Sequence, residues 1–170
     1  MRIACLIAVL AGLGLLTGCG GGSSDSTGFT PASGELSKSE WLAQANEICK
    51  AEGEDVAPLN KELDRLNKSG LSAPKEIAEF AAILRKVLPR SERGIRELRE
   101  LEPPSEESHS IDAVLEKDEE TLELIEKTAE EMEEDNIAAA KLLSLKAAMA
   151  NRTAQWMAQR DGLKLCGTEK

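Results

Sequence analysis

The sequence predicts an all-α fold, an antiparallel four-helix bundle with kinked helices that a disulfide bond staples together. Strong helix formers (Glu, Lys, Leu and Ala) dominate the composition. Four successive segments carry apolar residues at intervals of three and four, which is the period of one helix face. No internal segment alternates like a half-buried strand. Because the connections are short, an antiparallel bundle is favoured, and two helical hairpins with a looser core are the alternative.

The first 18 residues have the features of a lipoprotein signal peptide. A positive start, Met1-Arg2, precedes an apolar run that is too short for a transmembrane helix of ~20 residues. The run ends in Leu16-Thr17-Gly18-Cys19, which resembles a bacterial lipobox. The resemblance implies cleavage before Cys19 and attachment of a palmitate-type diacylglyceryl lipid to its sulfur. The alternative is an ordinary secretory signal, which would leave Cys19 as an unmodified thiol.

Residues 19–35 are predicted to form the lipidated cysteine and a flexible tether. Glycine and serine dominate this stretch, and such a composition cannot bury apolar surface. Two acyl chains on one residue anchor a protein firmly to a bilayer. The folded domain, residues 36–170, is therefore expected at the extracytoplasmic face of the cell membrane.

The first helix has a complete start signal. Ser37 is a good N-cap, and Glu40 follows three residues later, which is the spacing of a capping box. Leu36 before the cap and Trp41 at the fourth helical position have the spacing of a hydrophobic staple. The helix is therefore predicted to begin after Ser37, with an apolar face formed by Trp41, Ala45, Ile48, Val56, Leu59, Leu63 and Leu66.

Prolines shape the first two helices. Gly53 and Pro58 weaken the middle of the first helix and predict a kink or a short break there. Pro74 suits the first position of the second helix. Pro89 predicts a bend inside that helix, and Pro103-Pro104 ends it.

Polar residues and a glycine delimit the last two helices. Ser108 or Ser110 is expected to cap the third helix. Asp135 or Asn136 marks a tight turn after it, and Gly162 ends the fourth helix. The fourth helix has an apolar face formed by Ile137, Ala140, Leu143, Ala147, Ala150, Ala154 and Met157.

Two cysteines belong to the folded domain. Cys5 leaves with the signal peptide and Cys19 carries the anchor, so Cys49 and Cys166 form an even pair in an oxidising compartment. In an up-down-up-down bundle, a chain that turns back at Gly162 would bring Cys166 to Cys49. A disulfide between them would constrain the unfolded chain by roughly 5 kcal/mol. The rival interpretation, a reactive cysteine, lacks an evident base.

Charge and aromatic content exclude several classes of partner. The net charge of −10 disfavours nucleic acids and anionic lipid surfaces, because both attract positive charge. Two Trp, two Phe and no Tyr are too few rings for a carbohydrate-binding face or an aromatic cage. Trp41 and Trp156 are expected to lie in the core at one end of the bundle, with a ligand slot between them as the alternative.

The residues of the chain predict no catalytic, cofactor or metal site. His109 is the single histidine and is interpreted as a solvated or capping residue. Zinc needs about four N or S ligands, and no such set remains once the cysteines are assigned to the signal peptide, the anchor and the disulfide. A di-iron bundle needs Glu-x-x-His on two helices, and this pattern is absent. The carboxylates between Glu116 and Asp135 have the chemistry of Ca²⁺ or Mg²⁺ ligands. Such a run is more typical of a solvated helix face with ion pairs such as Glu123–Lys127.

Both ends of the predicted domain carry a recognisable segment. Leu36-Ser37-Lys38-Ser39-Glu40-Trp41 and Ala45-Asn46-Glu47-Ile48-Cys49 open the domain, and Gly162-Leu163-Lys164-Leu165-Cys166-Gly167 closes it. These segments resemble the ends of uncharacterised small helical lipoproteins and secreted proteins of actinobacteria. The resemblance implies the helical architecture and favours the Cys49–Cys166 disulfide, but it implies no chemistry.

The function expected from these observations is non-enzymatic binding by a lipid-anchored module. Its partner would be an envelope protein or a small apolar ligand. The alternative is a carrier or sensor that holds a small apolar ligand within the bundle, between helices kinked near Pro58 and Pro89.

Overall fold

A computed structural model describes residues 36–163, and these residues form a helical bundle. The helices are α1 (Lys38–Ser69), α2 (Pro74–Glu100), α3 (Ser108–Glu133) and α4 (Ile137–Arg160). No strand occurs between residues 36 and 163, so the all-α prediction is confirmed. None of the described helices is both long and apolar enough to span a bilayer. The predicted signal peptide, the tether, Cys19 and Cys166 lie outside the described residues.

The start of α1 is the capping box that the sequence predicts. The Ser37 hydroxyl accepts a hydrogen bond from the Glu40 backbone N–H over 3.4 Å, and the Glu40 carboxylate accepts one from the Ser37 backbone N–H over 3.1 Å. Leu36 packs against the core cluster that contains Trp41, as the staple requires. These contacts satisfy N–H groups that a helix leaves free at its first turn.

α1 and α2 both run without interruption through their prolines. Pro58 lies inside α1 and Pro89 inside α2, so the short break predicted for α1 is absent. Each proline removes one helical hydrogen bond, but both prolines are exposed, and Val56 and Leu88 beside them are buried. This packing holds the helices on either side of the missing bonds. Pro74 is the first residue of α2, as predicted.

The predicted serine cap of α3 is wrong. Ser108 is already the first helical residue, and Glu107 before it makes no side-chain cap. The hydroxyls of Ser108 and Ser110 donate hydrogen bonds to the carbonyl oxygens of Ser105 and Glu107, over 3.2 and 3.0 Å. A capping hydroxyl accepts from a free N–H, whereas these two are engaged with preceding carbonyls.

α3 and α4 end in the same hydrogen-bonded motif. Asp135 and Gly162 have left-handed backbones, with φ of 59° and 96°. In each case the N–H of the next residue, Asn136 or Leu163, donates to the carbonyl five residues earlier over 2.8 Å. The Asn136 side chain also caps the start of α4. The predicted turn and the predicted helix end are both confirmed.

Helices that are neighbours in sequence pack against each other, α1 on α2, α2 on α3 and α3 on α4. One core cluster combines the start of α1, the end of α2, the start of α3 and the end of α4, with members Trp41, Leu98, Ile111 and Ala158. A second combines the opposite parts of α2, α3 and α4, with members Ala81, Ala129, Met132 and Ala140. A third joins α1 to α2 through Val56, Leu66, Ile83 and Val87.

Candidate functional site

Three cysteines are predicted to be modified, Cys19 by a lipid and Cys49 and Cys166 by a disulfide. Of these, Cys49 lies within the described residues. Its side chain is buried in the cluster that contains Trp41. Leu163, the last described residue, belongs to the same cluster. The Asn46 side chain also donates a hydrogen bond to the Gly162 carbonyl over 3.4 Å. The end of the described chain therefore lies beside the N-terminal part of α1.

The outward face of α4 carries four large apolar side chains. Their exposed fractions are 56% for Leu142, 56% for Leu145, 70% for Met149 and 63% for Trp156. They are separated by three, four and seven residues, so they share one side of the helix, with the exposed polar residues Arg152 and Thr153 between Met149 and Trp156. The buried positions, on the opposite face, are Ala140, Ala147, Ala150, Ala154 and Ala158. We call the stripe of Leu142, Leu145, Met149 and Trp156 the α4 surface.

The two tryptophans have different environments. Trp41 is buried, as predicted, and its Nε1 has no hydrogen-bond partner within residues 36–163. The prediction that Trp156 lies in the core is wrong, because its ring is exposed and the Arg160 guanidinium lies 5.5 Å from the ring centre. The buried residues near the end of α4 are Ala154 and Ala158. Trp156, midway between them, falls on the far side of the helix.

The charged residues of α4 are all basic, although the chain has a net charge of −10. Lys141 precedes Leu142 and Lys146 follows Leu145, so cations flank the α4 surface on both sides. Arg160 pairs with Asp161 next to it. Among residues 36–163, no carboxylate forms an ion pair with Lys141, Lys146 or Arg152. The α4 surface is therefore apolar and is bordered by cations that no carboxylate of residues 36–163 neutralises.

Many carboxylates of α3 pair with arginines of α2. Arg85 lies within 3.9 Å of three of them, Glu126, Glu130 and Glu133. Arg99 contacts Asp112 and Glu119. The predicted Glu123–Lys127 pair is present at 3.6 Å. In the described part of the chain, no group of three or more His, Cys, Asp or Glu side chains is placed to hold a metal ion.

Two carboxyl groups lie between helices and depart from this solvated pattern. Glu52 of α1 accepts a hydrogen bond from the Ser91 hydroxyl of α2 over 2.6 Å. Burial raises the pKa of Glu52, and the hydrogen bond from Ser91 opposes that rise. On α3, burial, followed by the negative charges of Glu52 and Glu119, raises the pKa of Asp118 to about 7. Glu52 and Asp118 therefore release their protons at a pH closer to neutral than ordinary carboxyl groups do.

Sequence analysis alone misses this pair, because Asp118 stands inside a run of solvated acids. The signal that identifies it is the helical period. Asp118 follows the buried Leu115 by three residues, and Glu52 follows the buried Cys49 by three and precedes the buried Val56 by four. Both carboxyl groups therefore occupy inward positions of amphipathic helices.

Comparison with known proteins identifies no relative, since no protein family, curated protein or solved structure matches the chain.

Proposed function

We propose that the chain is a lipid-anchored, extracytoplasmic protein whose helical bundle is a non-enzymatic binding module, and that it binds through the α4 surface. The observation that carries this proposal is the exposure of Leu142, Leu145, Met149 and Trp156 along one face. Exposed apolar side chains grouped on one face and bordered by polar residues are typical of interaction sites. The flanking cations give the surface a charge preference as well. The sequence carries no catalytic motif, which supports a role in binding.

The proposed anchor rests on the lipobox-like segment that ends in Cys19. Two acyl chains there would hold the protein at the extracytoplasmic face of the cell membrane. Residues 20–37 separate Cys19 from the first residue of α1. The anchor and this short connection would confine the bundle to the neighbourhood of the bilayer and of other envelope components.

We propose that the four helices are antiparallel, with bends at Pro58 and Pro89. The first core cluster supports this arrangement, because it combines the start of α1 and α3 with the end of α2 and α4. The second cluster supports the same arrangement, because it combines the start of α2 and α4 with the end of α3. Short connections between successive helices are typical of antiparallel neighbours.

A disulfide between Cys49 and Cys166 fits this arrangement. Cys49 is buried in the first cluster, and Leu163 of the same cluster stands three residues before Cys166. Three residues span at most ~10 Å. The proposed disulfide is therefore compatible with the length of chain that follows Leu163.

Photo-crosslinking in the intact envelope of the host tests the binding role. A photoreactive benzoylphenylalanine replaces Met149 in the α4 surface, and a matched control replaces Lys61, an exposed residue of α1. The proposal expects an adduct with an envelope component at position 149 and none at position 61. No adduct at position 149, or equal adducts at both positions, would contradict a binding role for the α4 surface.

The intact mass of the protein from the same envelopes tests the anchor separately. The proposal expects the mass of residues 19–170 with a diacylglyceryl group. A chain without lipid would contradict the anchor and leave the crosslinking result unaffected.

A further inference from the structure

We infer that the partner of the α4 surface is an anionic phospholipid surface, against which the anchored domain lies with α4 facing the headgroups. The inference rests on the proposed function and names the occupant of the same surface. Three observations carry it: the shape of the apolar stripe, the sign of the charges beside it, and the length of chain between Cys19 and α1.

The shape of the stripe suits a bilayer. The four side chains protrude from the outer side of a single helix, with exposed fractions between 56% and 70%. Sites for small molecules are concave, whereas a bilayer accepts a convex helix face that sinks its apolar side chains below the headgroups. Trp156, with Arg160 over its ring, combines an apolar body with a polar edge, as residues at membrane interfaces do.

The charges select anionic headgroups. Lys141, Lys146 and Arg152 form no ion pair within residues 36–163, and their long stems allow the charged ends to reach phosphate while covering apolar surface. The net charge of the whole chain opposes anionic lipid, but the acids nearest in sequence, Asp135 and Asp161, lie beyond the two ends of α4, and Asp161 pairs with Arg160. α4 has none. Because salt screens charges beyond about 8 Å, the local cations decide the interaction.

Other occupants match the surface less well. Two α4 helices from two copies of the chain would bring their cations together, with no carboxylate on either helix to neutralise them. An acidic helix from another protein would match the charges, but such helices lay their apolar face into a hydrophobic groove, whereas the α4 surface lies on the outer side of a single helix.

The length of the connection makes this orientation accessible. A flexible chain of the length of residues 20–37 has an end-to-end distance of roughly 25 Å, and a helix of the length of α4 extends roughly 36 Å. The bundle would therefore stay within one helix length of the bilayer. Anchoring raises the effective concentration of the α4 surface at the lipid, so a modest intrinsic affinity is enough to orient the domain.

Vesicle binding by the mature chain, residues 19–170 with Cys19→Ser, tests the inference. The substitution removes the acyl chains, so binding reports the domain itself. Tryptophan emission is recorded with vesicles of phosphatidylcholine and with vesicles of equal parts phosphatidylcholine and phosphatidylglycerol. With the anionic vesicles we expect a blue shift from Trp156 and quenching by brominated acyl chains, while buried Trp41 contributes a constant background.

Charge-reversal variants make the test specific. Lys141→Glu with Lys146→Glu is expected to lower the partition coefficient at least about tenfold. Met149→Glu is expected to abolish the quenching. The matched control, Lys61→Glu with Lys86→Glu, makes the same change of charge on exposed positions of α1 and α2 and should alter partitioning by less than about threefold.

An unchanged emission spectrum with anionic vesicles would overturn the inference, and so would an equal loss in the control variant. If crosslinking at position 149 captured a protein while the vesicles gave no response, the α4 surface would belong to a protein partner. The proposed function would then survive, and the lipid partner would not.

Discussion

The Ser91 hydroxyl on α2 donates a 2.6 Å hydrogen bond to the Glu52 carboxylate on α1, and this contact forms part of a polar junction inside the bundle. Glu52 in turn acts on Asp118 of α3, whose pKa it helps to raise. Gly94, three residues beyond Ser91 on α2, leaves the room that the Glu52 side chain occupies. α1, α2 and α3 therefore meet at polar side chains, and the pKa values of two of them, Glu52 and Asp118, change when the chain folds.

Asp118→Asn is expected to stabilise the fold at about pH 8 and to have little effect at about pH 4. The pKa of Asp118 is about 7 in the folded chain, and it lies near 4 in an unfolded chain. The folded state therefore binds more protons between these two values. The stability that comes from this proton is present below about pH 4 and is lost as the pH rises to about 7.

Asparagine preserves the shape of Asp118 without its charge. Its stabilising effect at about pH 8 should be on the order of 2 kcal/mol, less than the full pKa shift implies, because the side chain is only partly buried. Thermal unfolding followed by circular dichroism measures the effect across this pH range. Glu116→Gln, at an exposed position of α3, is the control. A loss of stability at about pH 8 in Asp118→Asn would show that the charged form is the favoured one.

Gly94→Ala is expected to destabilise the wild-type chain and to stabilise a Glu52→Ala variant. A Cβ at position 94 would lie 3.1 Å from Cγ of Glu52, so the Glu52 side chain would have to shift by a few tenths of an ångström, which would strain its hydrogen bond with Ser91. Without that Cγ, alanine gains ~1 kcal/mol over glycine in a helix. Denaturant unfolding of the two single variants and the double variant measures the coupling.

Gly53→Ala is the matched control for this cycle, because a Cβ at position 53 of α1 would meet no atom within 4 Å. It should stabilise both backgrounds by up to ~1 kcal/mol. If Gly94→Ala behaved like Gly53→Ala in both backgrounds, the close approach between Gly94 and Glu52 would not limit packing.

Substitutions at Asp135 and Gly162 are expected to have opposite effects. Asp135→Gly should stabilise the fold by up to about 1 kcal/mol, because glycine adopts the left-handed backbone at φ 59° without steric cost. Gly162→Ala should destabilise it by about 1–2 kcal/mol, because φ is 96° there and the new Cβ would lie 3.1 Å from Cδ1 of Leu42. Thermal unfolding of both variants provides the comparison, and a shift of the same sign in both would contradict the shared role of the two positions.

Cys166→Ser is expected to lower the free energy of unfolding by about 3–5 kcal/mol, because the proposed disulfide closes a long loop back to Cys49. Reductant should destabilise the wild-type chain by a similar amount and leave the variant unchanged. Intact mass with and without reductant gives the two-hydrogen difference directly. A wild-type unfolding curve that does not respond to reductant would argue against the bond.

The parts of the fold that sequence alone predicts are those set by neighbouring residues. The Ser37–Glu40 capping box, Pro74 at the start of α2 and Gly162 at the end of α4 depend on contacts within a few positions. Ser108 shows the limit of this approach. Its hydroxyl has donor and acceptor capacity, and the conformation of the preceding loop decides that it donates to a carbonyl.

For Trp156 and Asp118, residue type and helical position predict opposite burial, and residue type gives the wrong answer. Trp156 is large and aromatic, which favours the core, yet the period of its own helix places it opposite the buried Ala154 and Ala158. Asp118 is charged, which favours solvent, yet it shares a face with the buried Leu115. Both residues lie in the candidate sites, and in both cases the helical period gives the correct side.

The buried positions of α4, all of them alanines, have a consequence for how the protein tolerates change. The buried positions meet the neighbouring helices through methyl groups, with partly buried Met157 packed beside them, whereas the side chains of the α4 surface are more than half exposed. A substitution at Leu145 or Met149 therefore alters what the helix touches without opening a cavity. A larger residue at Ala154 would strain the core and leave the side chains of the α4 surface unchanged. Folding and the proposed recognition would thus depend on opposite sides of one helix and could vary independently.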